Sequence, residues 1–318
     1  MSGTGHACGK AIILGEHAVV YGVPAIAVGI DRGARAQAAA IEDGPSRLIV
    51  RGWDIRVRED EDGHDLARAF RALLQVARQG TPSLGSHAVE VEAHLPPGGG
   101  LGCSAAMGVA IARALEPRLG DGALQDRAMA WERVFHGNPS GVDSAVAARG
   151  GCVIFRRGAG LEAVRVRGTL HLCIGNTGIA SGTKAMVEAV ARLRVRRPEV
   201  VEKSFDAIRV LVQNARLAIE AGDRIALGRL MDLNQLLLGG LFVSSPEIER
   251  MCAAARDAGA LGAKLTGAGG GGSVVALVPT PIVGDAVLAA WAAAGFSGFV
   301  ASVAPEVRSA SIESESAP

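Results

Sequence analysis

Glycine limits what this chain can fold into more than any other residue, because it is concentrated where regular structure stops. Of 43 glycines in 318 residues, four are consecutive at 269–272 in KLTGAGGGGSVVAL (264–277), and three run together at 98–100 in PPGGGLGCSAAM (96–107). Ordering such runs has a high entropic cost, so neither reads as the interior of a strand or helix. The run at 98–100 stands between an alternating strand pattern, AVEVEAHL (88–95), and AAMGVAIARAL (105–115), which is small and apolar on nearly every side. A strand–glycine loop–helix order exposes unpaired backbone N–H groups and the positive end of a helix dipole, which together hold an anion such as a polyphosphate. An ordinary tight loop accounts for the same letters. Ser104 at the helix start reads first as a cap, and alternatively as a hydroxyl that reaches a phosphate-bound metal ion. The run at 269–272 joins two strand-like segments that Asn-Gly could have joined, so it implies close approach of a backbone or a ligand, with a flexible linker as the alternative. The loop at 96–107 spells neither Gly-x-x-x-x-Gly-Lys-Ser/Thr nor Gly-x-Gly-x-x-Gly, which sets those two nucleotide folds aside for it.

Composition narrows the partners. Lys plus Arg number 33 against 32 Asp plus Glu, a net charge of +1, so the chain lacks the field with which a protein coats nucleic acid. Phe, Trp and Tyr make up 3%, so Ala, Val, Leu and Ile must fill the core. The five cysteines, Cys8, Cys103, Cys152, Cys173 and Cys252, form no Cys-x-x-Cys pair. That argues against a disulfide framework or zinc site and for a reducing, cytoplasmic setting. No apolar run is long enough to cross a bilayer, and MSGTGHACGK lacks the order of a secretion signal.

Periodicity predicts two adjacent buried strands in KAIILGEHAVVYGVPAIAVGI (10–30), β-like alternation over 34–58 and a helix over 65–78. A helix over GALQDRAMAWERVF then runs into the turn-rich HGNPSGVDSAV, a short strand GGCVIF and a polar stretch at 158–168. Beyond a strand, TLHLCIGNT, four helical patterns lie at 183–194, 199–221, 223–238 and 246–258. They are followed by strands near 261–265, 273–278 and 298–304 and a helix at 282–294. This alternation is α+β, with a domain boundary expected near residue 168. Residues 305–318 have almost nothing to bury and are expected to be disordered.

A third segment, GKAIILGEHAVVYG (9–22), sets Lys10, Glu16 and His17 beside an apolar strand. Singly, each reads as a surface or turn residue. Together with the two glycine loops, and in the same chain order, it resembles the family of galactokinase, homoserine kinase, mevalonate kinase and phosphomevalonate kinase. Within that family, GEHAVVYG (15–22) followed by HGNPSGVD (136–143) is most similar to the mevalonate-phosphorylating branch. The resemblance spans residues 9 to about 278. It implies an α+β two-domain fold: an N-terminal domain like the second domain of ribosomal protein S5 (1–168) and a ferredoxin-like C-terminal domain (169–304), with the site between them.

The resemblance also implies transfer of the γ-phosphoryl group of ATP, as co-substrate, to the primary hydroxyl of mevalonate, with Mg²⁺ required. Pro97, Gly98, Gly99, Gly100, Leu101, Gly102, Cys103, Ser104 and Ala105 match the phosphate loop. Ser104 and Glu132 match the metal ligands, Asp143 the catalytic carboxylate and Lys10 its lysine neighbour. Lys10, Glu16, His17, Asp143 and Thr183 match positions that face the alcohol, and Gly267, Gly269 and Gly270 belong to the third motif. Asp143 reads either as the base that takes the alcohol proton or as an orienting group. Two positions depart from the family pattern. Cys8 replaces a proline, and Cys103 replaces a serine, which introduces a thiol expected to be open to oxidation. Dimers occur among similar enzymes, whereas no residue pattern here marks an interface. The basic run RLRVRR (192–197) reads as a solvated helix end, and His136 as a residue that holds its loop.

Overall fold

A computed structural model describes residues 2–96, 98–136, 139, 141–158, 160–180 and 182–304. Pro97, three residues of the HGNPSGVD octapeptide (Gly137, Asn138 and Ser140) and the 305–318 tail lie outside the described residues.

The first sheet grows around one long strand. β2 (Ala25–Ala40) takes β1 (Ser2–Leu14) antiparallel along one edge and shares the other between β6 (Cys152–Arg156) and β5 (His87–Ala93). β3 (Arg47–Arg51) runs parallel to β5 and forms a hairpin with β4 (Ile55–Arg58), while β7 (Gly160–Val164) closes the far edge. α2 (Cys103–Leu115) packs across β1 and β2, flanked by α1 (Asp65–Gly80), α3 (Asp121–His136) and α4 (Val142–Arg149). Its residues Ala105–Ala112 are all buried, as its uninterrupted apolar pattern predicts.

The expected first strand starts at Lys10, but β1 begins eight residues earlier, through glycines that look like loop. The reason is the helix above it. A Cβ on Gly3 or Gly5 would stand 2.1 Å from the carbonyl oxygen of Ala114 or Ala110, so only glycine lets the strand lie this close to α2. Besides a 3-10 turn at Ala18–Tyr21 inside the segment read as strand, two elements escaped the sequence reading. β7 lies in the stretch taken as polar connection because, as an edge strand, it buries only Val164 and shows no alternation. α4 spans eight residues and buries three, too few for a helical period to register.

The second sheet is fully antiparallel, in the order β11 (Ser297–Val303), β8 (Leu170–Asn176), β10 (Ser273–Val278), β9 (Gly262–Thr266). Between β8 and β9 come α5 (Thr183–Arg196), α6 (Pro198–Ala221), α7 (Arg224–Gly240) and α8 (Pro246–Asp257), and α9 (Pro281–Ala293) joins β10 to β11. Strand 4-1-3-2 order with helical crossovers is the split βαββαβ arrangement of ferredoxin-like folds. The two sheets meet where β11 lies against β2 and where β9 lies against β1. Thr266 Oγ1 accepts from the Ile12 amide at 2.9 Å and donates to the Ile12 carbonyl at 3.1 Å, so one hydroxyl satisfies a β1 residue at a register shift. Among the described residues no helix is long and apolar enough to cross a membrane.

Candidate active site

The loop between β5 and α2 is fastened from below by a single residue of β1. The Lys10 amide donates to the Leu101 carbonyl at 2.8 Å, and Lys10 Nζ donates to the Gly100 carbonyl at 3.3 Å. Gly102, at φ +71°, lets the loop turn into α2 directly over this lysine, where a Cβ would lie 3.3 Å from Lys10 Cβ. α2 therefore starts without a side-chain cap and without an acidic residue of its own in its first turn, which leaves that turn's N–H groups for another acceptor.

Lys10 Nζ also lies 3.0 Å from Asp143 Oδ1. Asp143 occupies the first turn of α4, where the helix dipole favours a carboxylate. The two partners differ in exposure: the Lys10 side chain is 7% exposed and that of Asp143 40%. The ammonium thus forms the floor of the cluster and the carboxylate its open rim.

Beside this pair, α2 and α3 bring Ser104 and Glu132 together. Ser104 Oγ donates to Glu132 Oε1 and accepts from the Trp131 indole N–H at 3.2 Å. His136, one turn along α3, places Nε2 3.6 Å from Glu132 Oε2. Burial pushes the Glu132 carboxyl above its ordinary range; the Ser104 hydrogen bond and His136 oppose that shift, while the charge of Asp143 adds to it. A buried carboxyl and a hydroxyl are hard oxygen donors, and a cation brought to them would offset the burial that disfavours the carboxylate's charge. That suits a cation that takes most of its ligands from phosphate and water. No group of three or more His, Cys, Asp or Glu side chains among the described residues forms a closed metal cage.

Cys103 is buried at the start of α2. Its Sγ lies 3.6 Å from the Leu95 carbonyl, and burial, with Glu132 adding, pushes the thiol up to about 11. Burial and a raised pKa both disfavour the thiolate that oxidation needs, which runs against the redox sensitivity expected at this position.

The third glycine loop closes over the first. Gly100 and Gly267, both at positive φ, are in ordinary contact, Ser273 Oγ donates to the Gly99 carbonyl at 2.7 Å, and within the run a Cβ on Gly269 would fall 2.0 Å from the Val243 carbonyl oxygen. Gly270 N–H donates to the Val243 carbonyl at 2.7 Å, and Gly272 N–H to the Ile179 carbonyl at 2.9 Å. The close backbone approach implied by the glycine run is therefore real, and the approaching chain is the protein's own. Thr183 is exposed at the start of α5, on the segment whose Ile179 and Met186 pack against Gly271 and Gly270.

Glu16 and His17 turn toward this loop. His17 Nε2 lies 2.8 Å from the Ala268 carbonyl, and burial holds the ring's pKa below its ordinary value. Because a carbonyl only accepts, Nε2 carries the proton and Nδ1 of the neutral ring is left as an acceptor. Glu16 was expected to face the alcohol, but its carboxylate is fully buried. Lys264 Nζ donates to Oε1, and Asn234 Nδ2 to Oε2 at 3.3 Å. Burial drives the Glu16 carboxyl up and the Lys264 ammonium down, and their mutual attraction opposes both shifts. Lys264, Asn234, Thr266 and Ser273 escaped the sequence reading. Lys264 alone carried a signal, a charge within an otherwise apolar strand just ahead of the glycine run.

The chain matches two family models in succession: GHMP kinases N terminal domain over residues 66–151 and GHMP kinases C terminal over 215–297. Among curated relatives, mevalonate kinase of Aeropyrum pernix is 36% identical over 85% of this chain and 86% of its own. That of Methanothermobacter thermautotrophicus is 34% identical over 88% and 91%. Among solved structures, L. major mevalonate kinase in complex with R-mevalonate superposes with a TM-score of 0.83 at 29% identity, covering 96% of this chain and 97% of that one. Lactococcus lactis galactokinase, at 18% identity and a TM-score of 0.73, shares the fold. Both halves of the family are present in order and the similarity runs nearly end to end, so the chain belongs to the GHMP kinases.

Proposed function

We propose that this kinase transfers the γ-phosphoryl group of ATP to the primary hydroxyl of mevalonate, giving 5-phosphomevalonate and ADP. The observation that carries the reading is the Lys10–Asp143 contact of 3.0 Å directly beneath the glycine loop that opens α2. Phosphoryl transfer to an alcohol needs little covalent help; it needs donor and acceptor held in line and charge stabilised on the transferring group. The N–H groups at the start of α2 supply donors for phosphate oxygens. Lys10 holds a fixed positive charge where the transferred group must pass and keeps Asp143 oriented. Asp143, on the exposed side of the pair, is placed to accept the hydroxyl proton or to hold the hydroxyl in line.

Ser104 and Glu132 would hold Mg²⁺, which when bound neutralises phosphate charge. Their buried carboxylate and hydroxyl fit such a cation. His17, through Nδ1, offers an acceptor to a substrate hydroxyl, and Thr183 is a further candidate contact. The test is a coupled ADP-release assay across mevalonate, phosphomevalonate, galactose and homoserine. Turnover of mevalonate well above the other three is expected; turnover of another alcohol with none of mevalonate overturns the assignment.

A further inference from the structure

The phosphoryl-transfer chemistry above leaves one fully buried ion pair without a task. Glu16 and Lys264 are both 0% exposed at the side chain. Burying two opposite charges costs about as much as their attraction returns, so such a pair is weak evidence for stability and points to placement instead. Its three partners come from three elements: the turn after β1, strand β9 and, through Asn234, α7. Lys264 Nζ also donates to the Leu265 carbonyl, so the ammonium is held on both sides.

The turn that carries Glu16 is the strained one. Gly15 lies at φ +105° and His17 at φ +59°, and a non-glycine residue persists there only when its surroundings over-determine it. Both carboxylate oxygens of Glu16 are engaged, and the next side chain, His17, is docked on Ala268 of the third glycine loop. The charge of Lys10 also reaches Glu16, so the pair borders the reacting groups without being one of them.

We propose that Glu16 and Lys264 are positioning residues for the alcohol half of the site: their buried pair clamps the Gly15–His17 turn to β9 and thereby fixes the His17 ring against the third glycine loop. This deepens the mevalonate reading and rests on it. It also gives Glu16 an indirect role in place of direct substrate contact.

The experiment compares Glu16→Gln, Lys264→Met and the double variant by steady-state kinetics in both substrates and by thermal melting. The single variants should raise KM for mevalonate about tenfold, equivalent to ~1.4 kcal/mol, with KM for ATP little changed. Each single variant leaves a buried charge alone and is expected to lower Tm. In the double variant neither charge remains, so Tm should return toward wild type while KM for mevalonate stays raised. Recovery of both together would show that the pair is structural only and overturn the proposal.

Should the charge variants fail to fold, Asn234→Ala decides, because it keeps both charges and removes only the bond to Oε2. A selective rise in mevalonate KM supports the clamp, and unchanged kinetics overturn it. A second readout needs no turnover. In ¹⁵N-histidine spectra, with His17 assigned through His17→Gln, the wild-type ring should show the Nε2–H tautomer, and Glu16→Gln should shift it toward the free mixture with a pKa closer to ordinary. Electrostatics alone would move that pKa the other way, since an anion is lost, and an unaltered His17 signature counts against the clamp. If the wild-type chain fails to phosphorylate mevalonate, the functional reading falls while the spectra still judge the clamp.

Discussion

Replacing Lys10 with methionine removes the charge beneath the phosphate loop while keeping most of the side-chain volume, and the two partners' exposures set what should follow. Lys10 is 7% exposed and Asp143 40%, so losing the ammonium leaves behind a carboxylate that water already reaches. The stability cost should be that of a partly exposed pair, ~0–1 kcal/mol. Asp143→Asn is the opposite case: it leaves a nearly buried ammonium with neutral acceptors in place of its countercharge, a loss of ~1–3 kcal/mol. Function should rank differently. A fixed donor aimed at developing charge is worth about 10²–10³ in kcat, and Lys10→Met should lose that much with a far smaller change in ATP affinity. ADP release at saturating substrates gives kcat, nucleotide titration by fluorescence gives ATP affinity, and denaturant melts give the stability order. A Lys10→Met enzyme within threefold of wild-type kcat, or a Lys10→Met chain less stable than Asp143→Asn, would refute the assignment of Lys10 as an electrostatic floor.

Ser104→Ala removes both the hydroxyl that bonds Glu132 and the acceptor of the Trp131 indole, and should raise the Mg²⁺ concentration needed for half-maximal rate; an unchanged metal titration takes Ser104 out of the ligand set. Gly5→Ala should destabilise by ~1–3 kcal/mol without touching the site, because its Cβ would fall 2.1 Å from the Ala110 carbonyl oxygen; chemical denaturation would show this, and a neutral result would contradict the strand–helix contact. His17 is held below its ordinary 6.5 by burial, so on acidification the unfolded chain takes up the proton first and stability falls as pH drops through 6.5 toward the lower folded value. Melting curves at neutral and mildly acidic pH should show a smaller acid loss in His17→Gln than in wild type, and equal losses would mean the ring is solvated. Cys103 should resist thiol reagents in the native state and react once unfolded, as labelling with mass mapping would reveal.

Residues adjacent in the chain carried most of what could be read without coordinates. The glycine loop before α2, the serine behind it and the all-apolar helix are local patterns, and their order along the chain indicated a kinase of this family and both halves of its fold. Glu132 and Asp143 were singled out through the segments around them, and the fold sets them beside Ser104 and Lys10. The inter-sheet contacts were not. Thr266 stands 254 positions from the Ile12 backbone it satisfies, and Lys264 stands 248 from Glu16. The apolar strand around Lys264 marks its charge as buried, but nothing local names the acid that neutralises it. Glycine in β1 likewise reads as loop until a helix is laid against it. Periodicity and propensity report what each segment buries, whereas the partner of a buried charge depends on which distant backbone arrives beside it, and for Glu16 that was settled only when β9 packed against the end of β1.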